Sequence, residues 1–131
     1  MLEVLRAHHE RIRECLSVHR ELCAEVEPQT GRLALSRLRI TGANADRSRF
    51  MAREILPILQ SRVHPDADRI IDLLSNDSTK RQEAAKAHIG RWSLEAIEQD
   101  WTGYKVASTR AIASIEQRIT LEADCLRSIF L

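Results

Sequence analysis

Of the side chains able to gather a cation or move a proton, four stand out by their place in the pattern: His9, Glu54, His88 and Glu122. Each falls on or near the apolar stripe of a different helical segment. Imidazole and carboxylate both suit iron, manganese and zinc, so two histidines and two glutamates converging from four helices would hold one such ion. Glu54 raises the question most directly. The stretch Phe50-Met51-Ala52-Arg53-Glu54-Ile55-Leu56-Pro57 puts a carboxylate on the apolar side of a helix that ends at a proline. One turn before it, Phe50 offers neither a hydrogen bond nor a metal bond. A buried carboxylate needs a partner. Arg118, one turn from Glu122 on the same inward face, supplies a different one: its permanent guanidinium would take the place of an ion and bind Glu54 and Glu122 in forked hydrogen bonds.

The remaining reactive side chains read as packing or surface groups. His8 lies beside the inward stripe, at the rim, where it would serve as an auxiliary ligand. His19 and Cys23 share a face at i and i+4, but nothing completes a tetrahedral set around them, so they read as a packed histidine beside a buried thiol. Cys15, Cys23 and Cys125 are an odd, widely spaced set and read as free thiols. His64 precedes a proline in a turn, and Trp92 and Trp101 read as core and bundle-end packing. An exposed phosphotransfer histidine at His88 would need a lysine and glycine after it that the sequence does not supply in that order. No serine or cysteine stands beside a histidine and a carboxylate at a nucleophile's spacing, so enzymatic catalysis is not indicated.

The elements that must position these groups are helices. Leu2, Leu5, His9, Ile12, Leu16, His19, Cys23 and Val26 alternate three and four apart, which keeps one face of a helix inward until Pro28 and Gly31 stop it. A second helix starts near Arg32, includes Leu35 and Leu38, weakens around Thr41 to Asp46, and resumes with Phe50, Glu54 and Ile58 before Pro57 bends or ends it. Pro65 then opens a short apolar helix over about residues 66–75. Asp77 or Ser78 caps a third long helix running through His88, Trp92 and Trp101 towards Gly103. The fourth begins near Tyr104, with Ser108, Ala111, Ile115, Arg118, Glu122, Cys125 and Ile129 inward. The sequence therefore predicts an all-α chain: a single domain over 1–131, folded as an antiparallel up-down four-helix bundle with a short extra helix between helices 2 and 3.

Composition narrows the function classes. In 131 residues, 20 Lys+Arg stand against 19 Asp+Glu, interspersed along the chain, so there is no basic footprint for nucleic acid. No apolar run approaches the ~20 residues of a membrane span, and Met1-Leu2-Glu3-Val4-Leu5-Arg6 is no signal-peptide core. A soluble, cytoplasmic protein is expected.

Several of these motifs resemble the hemerythrin family of cation-binding bundles, and the likeness spans almost the whole chain. Leu5-Arg6-Ala7-His8-His9-Glu10-Arg11-Ile12-Arg13 resembles the family's first helix, with a ligand histidine at His9. Met51-Ala52-Arg53-Glu54-Ile55-Leu56-Pro57 resembles the second-helix signature of a glutamate followed by a short apolar stretch and a proline. Ala87-His88-Ile89-Gly90-Arg91-Trp92 looks like the third-helix histidine region, and Arg118-Ile119-Thr120-Leu121-Glu122 like the start of the fourth-helix motif. The resemblance implies non-haem iron, one ion or two, held by His9, Glu54, His88 and Glu122, with dioxygen or another small ligand bound and a role in oxygen or redox sensing. The family pattern has histidine where this chain has Phe50, Trp92 and Arg118, so about half of the ligand set is replaced. Two metals would be under-ligated. The alternative is a bundle with no metal, a regulatory or protein-interaction module in which Arg118 supplies the missing charge.

Overall fold

The computed structural model describes residues 1–130, and every regular element among them is helical. Helix α1 spans Leu2–Cys23 and α2 Thr30–Phe50; α2 runs through a π-helical turn, Met51–Ile55, into the short α3, Leu56–Gln60. Helices α4 (Ala67–Arg91), α5 (Leu94–Gln99) and α6 (Trp101–Phe130) complete the chain. Helix α1 packs on α2 and α6, and α4 on α6. Paired side chains show the directions: His19 meets Ser36 and Arg11 meets Asp46 across α1 and α2, while Arg118 meets Asp77 and Arg81 meets Ser114 across α6 and α4. In each pair one number rises as the other falls, so the helices run oppositely.

The α1 stripe folds as its spacing dictates, with Leu5, His9, Ile12, Leu16 and His19 buried. The helix stops at Cys23, so Val26, expected on the stripe, is exposed. Helix α2 departs further. Its buried residues are Leu33, Ser36, Ala43 and Arg47, whereas Leu38 is 70% exposed. Two leucines, Leu35 and Leu38, thus face outward while small and charged side chains face in.

The π-turn decides the fate of Glu54. Leu56 N–H bonds back to the Met51 carbonyl, a five-residue step. The wider turn precedes Pro57, which has no N–H and whose ring would crowd the Arg53 carbonyl in a regular α-turn. The extra residue advances the register, so inward positions fall at Met51, Ile55 and Leu59 in place of Phe50, Glu54 and Ile58. Ile55 and Leu59 are buried and Glu54 is exposed. The expected buried carboxylate is a surface residue.

Two boundaries also differ from the sequence reading. The short helix at 66–75 and the third long helix are one helix, α4, continuous through Ser75-Asn76-Asp77-Ser78. Asp77 does not compete for its own backbone because arginines hold its carboxylate. At the other end α4 stops at Arg91 instead of running past Trp101. Ser93 caps α5 by accepting from Ala96 N–H at 3.1 Å, and Asp100 accepts from Gly103 N–H at 2.9 Å at the start of α6. Gly103 therefore lies in the first turn of α6, and a Cβ there would collide with the Asp100 carboxylate.

Three apolar clusters fill the interior. Leu5, Ile55, Leu59, Ile70, Leu74 and Leu126 form one end, Ile12, Leu16, Ala43, Ile112 and Ile119 the middle, and Leu33, Trp92, Ile97 and Tyr104 the other end. Polar layers lie between them. Among the described residues, α2 and α4 do not pack closely along their length; from Gln82 to Gly90 every α4 residue except the half-buried His88 is exposed. A gap opens between these two helices, with α6 as its floor.

Candidate functional site: a buried charge network beside an open cleft

Glu122, on α6, is 0% exposed, and three groups from three helices hold its carboxylate. His9 Nε2 lies 2.8 Å from Oε1. An ionised carboxylate only accepts, so that ring nitrogen carries the proton and donates. Arg47 Nη1, from α2, and Arg118 Nε, from α6 at 2.8 Å, both donate to Oε2. Burial pushes the Glu122 carboxyl up, but the His9 hydrogen bond and the Arg47 and Arg118 charges overcome it and hold the carboxyl below its ordinary range.

The network extends to α4. Arg118 Nη1 donates to the Leu74 carbonyl at 2.9 Å and to Asp77 Oδ2 at 2.8 Å. Asp77 also accepts from Arg81 Nε at 2.7 Å, and Arg81 Nη1 reaches Ser114 Oγ on α6 at 2.8 Å. Burial raises the Asp77 carboxyl, yet the two arginines lower it by more. No buried polar side-chain atom among the described residues lacks a partner. Such satisfaction is what makes a buried ionic cluster tolerable.

A second polar layer lies near the opposite end. His19 Nδ1 is 2.8 Å from Ser36 Oγ and its Nε2 2.8 Å from Tyr104 Oη. Burial, then the Arg37 charge and His88, lower the His19 pKa to about 4, so the ring is neutral. Tyr104 gathers the aromatic side chains: His88 and Trp101 stack on it at centroid distances of 6.0 Å, and Trp92 meets it edge-on at 5.6 Å. Trp101 also donates from Nε1 to the Glu25 carbonyl at 3.1 Å. Both tryptophans are packing residues, as their sequence positions suggest. Cys23 donates to Ser108 Oγ at 3.5 Å and is partly buried, where a buried thiol was expected, while His19 is buried with partners of its own.

The four residues expected to converge do not. His9 and Glu122 are in contact; Glu54 is on the surface; His88 is half-buried against Tyr104, level with His19, which lies about 15 Å along α1 from His9 at the usual helical rise. Among the described residues, no three His, Cys, Asp or Glu side chains are grouped to hold a metal ion. The donors do not fit non-haem iron: Glu54 is absent from the centre, and a cation at Glu122 would meet two guanidiniums. Phe50 packs in the first apolar cluster, tilted against half-buried His8 at 5.3 Å. Arg118 does bind Glu122, but its other partner is Asp77 and not Glu54.

Arg47 and Asp77 are the members that sequence reading missed. Arg47 lies in a stretch too polar to mark an inward face, although Ala43, Arg47, Met51, Ile55 and Leu59 recur every four residues. Asp77 was expected at a helix cap, and no local pattern tells a capping carboxylate from one held by another helix.

Both polar layers border the gap between α2 and α4, a cleft of about 790 Å³. Its lining includes Arg37, Arg47, Arg81, Arg110 and Arg118, and no carboxylate. Alanines and isoleucines from α2, α4 and α6 make up much of the rest.

No protein-family model, no curated protein and no solved structure matches this chain.

Proposed function

We propose that this chain is a non-enzymatic binding module: a hemerythrin-like, up-down four-helix bundle that needs no metal, braced by its buried charges and acting through the cleft between α2 and α4. The observation that carries this reading is the state of Glu122, whose two oxygens are already held by His9, Arg47 and Arg118. In this reading the arginines do the work that the hemerythrin likeness assigns to metal. Arg47 fastens α2 to α6, and Arg118 with Arg81 fastens α4 to α6. Both outer helices are tied to the floor, and α2 also reaches the C-terminal end of α4 where Arg37 donates to the Trp92 carbonyl, which leaves the cleft open along the exposed stretch from Gln82 to Ala87.

Metal analysis after anaerobic reconstitution with ferrous iron tests the first half. The expected result is no stoichiometric iron and no oxo-bridge absorption on admitting air. One or two irons per chain, lost in His9→Ala, would overturn the metal-free reading and restore the oxygen- or redox-sensing one.

A further inference from the structure

The charges around the cleft do not balance. Arg47, Arg81 and Arg118 share Asp77 and Glu122, three cations against two anions. Arg37, half-buried on α2, has a backbone partner, donating from Nη1 to the Trp92 carbonyl at 2.7 Å, and no carboxylate within ion-pair distance among the described residues. Its field reaches all three ring side chains beside it: it adds to burial in lowering the pKa of His19 and His88, and it opposes the burial that raises that of Tyr104. Beyond Arg37 the walls are small and apolar, with Ala84 and Ala85 on α4 facing Ala107 and Ala111 on α6. Exposed Leu38, Ile89 and Leu94 stand at the mouth.

We infer that the cleft between α2 and α4 binds an anionic amphiphile, a small molecule with an apolar body and one carboxylate-type head, the head paired with Arg37 and the body laid along the alanine walls. This rests on the reading of the chain as a binding module. The size suits a small molecule: sites of that kind span roughly 300–1,000 Å³. The sign follows from the lining, since a guanidinium in a partly desolvated wall favours a carboxylate over an alcohol or a cation.

Isothermal titration calorimetry of the full chain with decanoate, decanol and decyltrimethylammonium tests the inference. Decanoate is expected to bind one per chain, at least about tenfold tighter than decanol, with the cation weakest. Arg37→Met should remove that preference and Arg37→Lys restore it, while Ala85→Trp, on an exposed wall position, should block decanoate and decanol alike. Equal binding of decanoate and decanol, both blocked by Ala85→Trp, would overturn the anionic class and leave the cleft as the binding site. Binding indifferent to Ala85→Trp, or none by any probe, would overturn the cleft itself. Saturable binding of a designed acidic amphipathic helix in place of decanoate would overturn the small-molecule class in favour of a protein groove.

Discussion

Arg118 and Glu122 are one helical turn apart on α6, joined at 2.8 Å, and the same guanidinium crosses to Asp77 on α4 at 2.8 Å. One side chain thus neutralises the most buried carboxylate and clamps a neighbouring helix. Arg118→Met should cost on the order of 3–5 kcal/mol, because it strands charge that cannot reach water. Urea denaturation measures this. The triple variant Arg47→Met, Arg118→Met, Glu122→Leu removes the buried carboxylate with both its arginines, leaves Asp77 paired with Arg81, and should be more stable than Arg118→Met alone. A single variant that melts like the parent would show that the network contributes nothing.

Glu54→Ala should leave stability within about 0.5 kcal/mol of the parent, as surface changes usually do. Its neighbour Ile55, fully buried, behaves oppositely: Ile55→Ala should cost about 2–5 kcal/mol. Parallel thermal melts of the two would locate the inward register of the π-turn, and a large loss for Glu54→Ala would place it one residue earlier.

Acid should weaken the fold through His19. Folded His19 titrates at about 4 against an ordinary 6.5, so between these values the unfolded chain takes up a proton that the folded chain refuses. Stability then falls as pH falls, by about 2 kcal/mol from about pH 7 to about pH 5. His19→Gln should flatten that slope while lowering stability overall. Glu122 and Asp77, whose folded pKa values are depressed, contribute stability that is complete above their ordinary values and lost on further acidification through the folded ones.

Gly103→Ala should destabilise by about 1 kcal/mol by expelling the Asp100 cap. In an Asp100→Ala background the same change should become neutral or favourable, since alanine is the better helix former. A double-mutant cycle by chemical denaturation gives the coupling directly.

The all-helical class was legible because α1 repeats its apolar positions for several turns, and His9, Arg118 and Glu122 were legible because fixed helical spacing puts them on inward faces. The rest depended on contacts that spacing does not encode. Glu54 was misplaced because the π-turn shifts register by one residue, and its cause, Pro57, signals disturbance without saying which way the following face turns. Arg47 was overlooked because an arginine among small polar residues reads as solvated until a buried glutamate on another helix claims it. Ser75 to Ser78 looked like a break because Asp77 has the chemistry of a cap; Arg81 and Arg118 give that carboxylate another task.

The crowding of aromatic rings around Tyr104 has an optical consequence. The chain has two tryptophans, Trp92 and Trp101, and both lie against this one tyrosine. All of the indole emission therefore originates at the end of the molecule where Arg37 and His88 border the cleft, with the imidazole stacked on the same phenol. Movement of α4 at that end would register as a change in intensity or colour without any added dye, while events around Glu122 would stay dark.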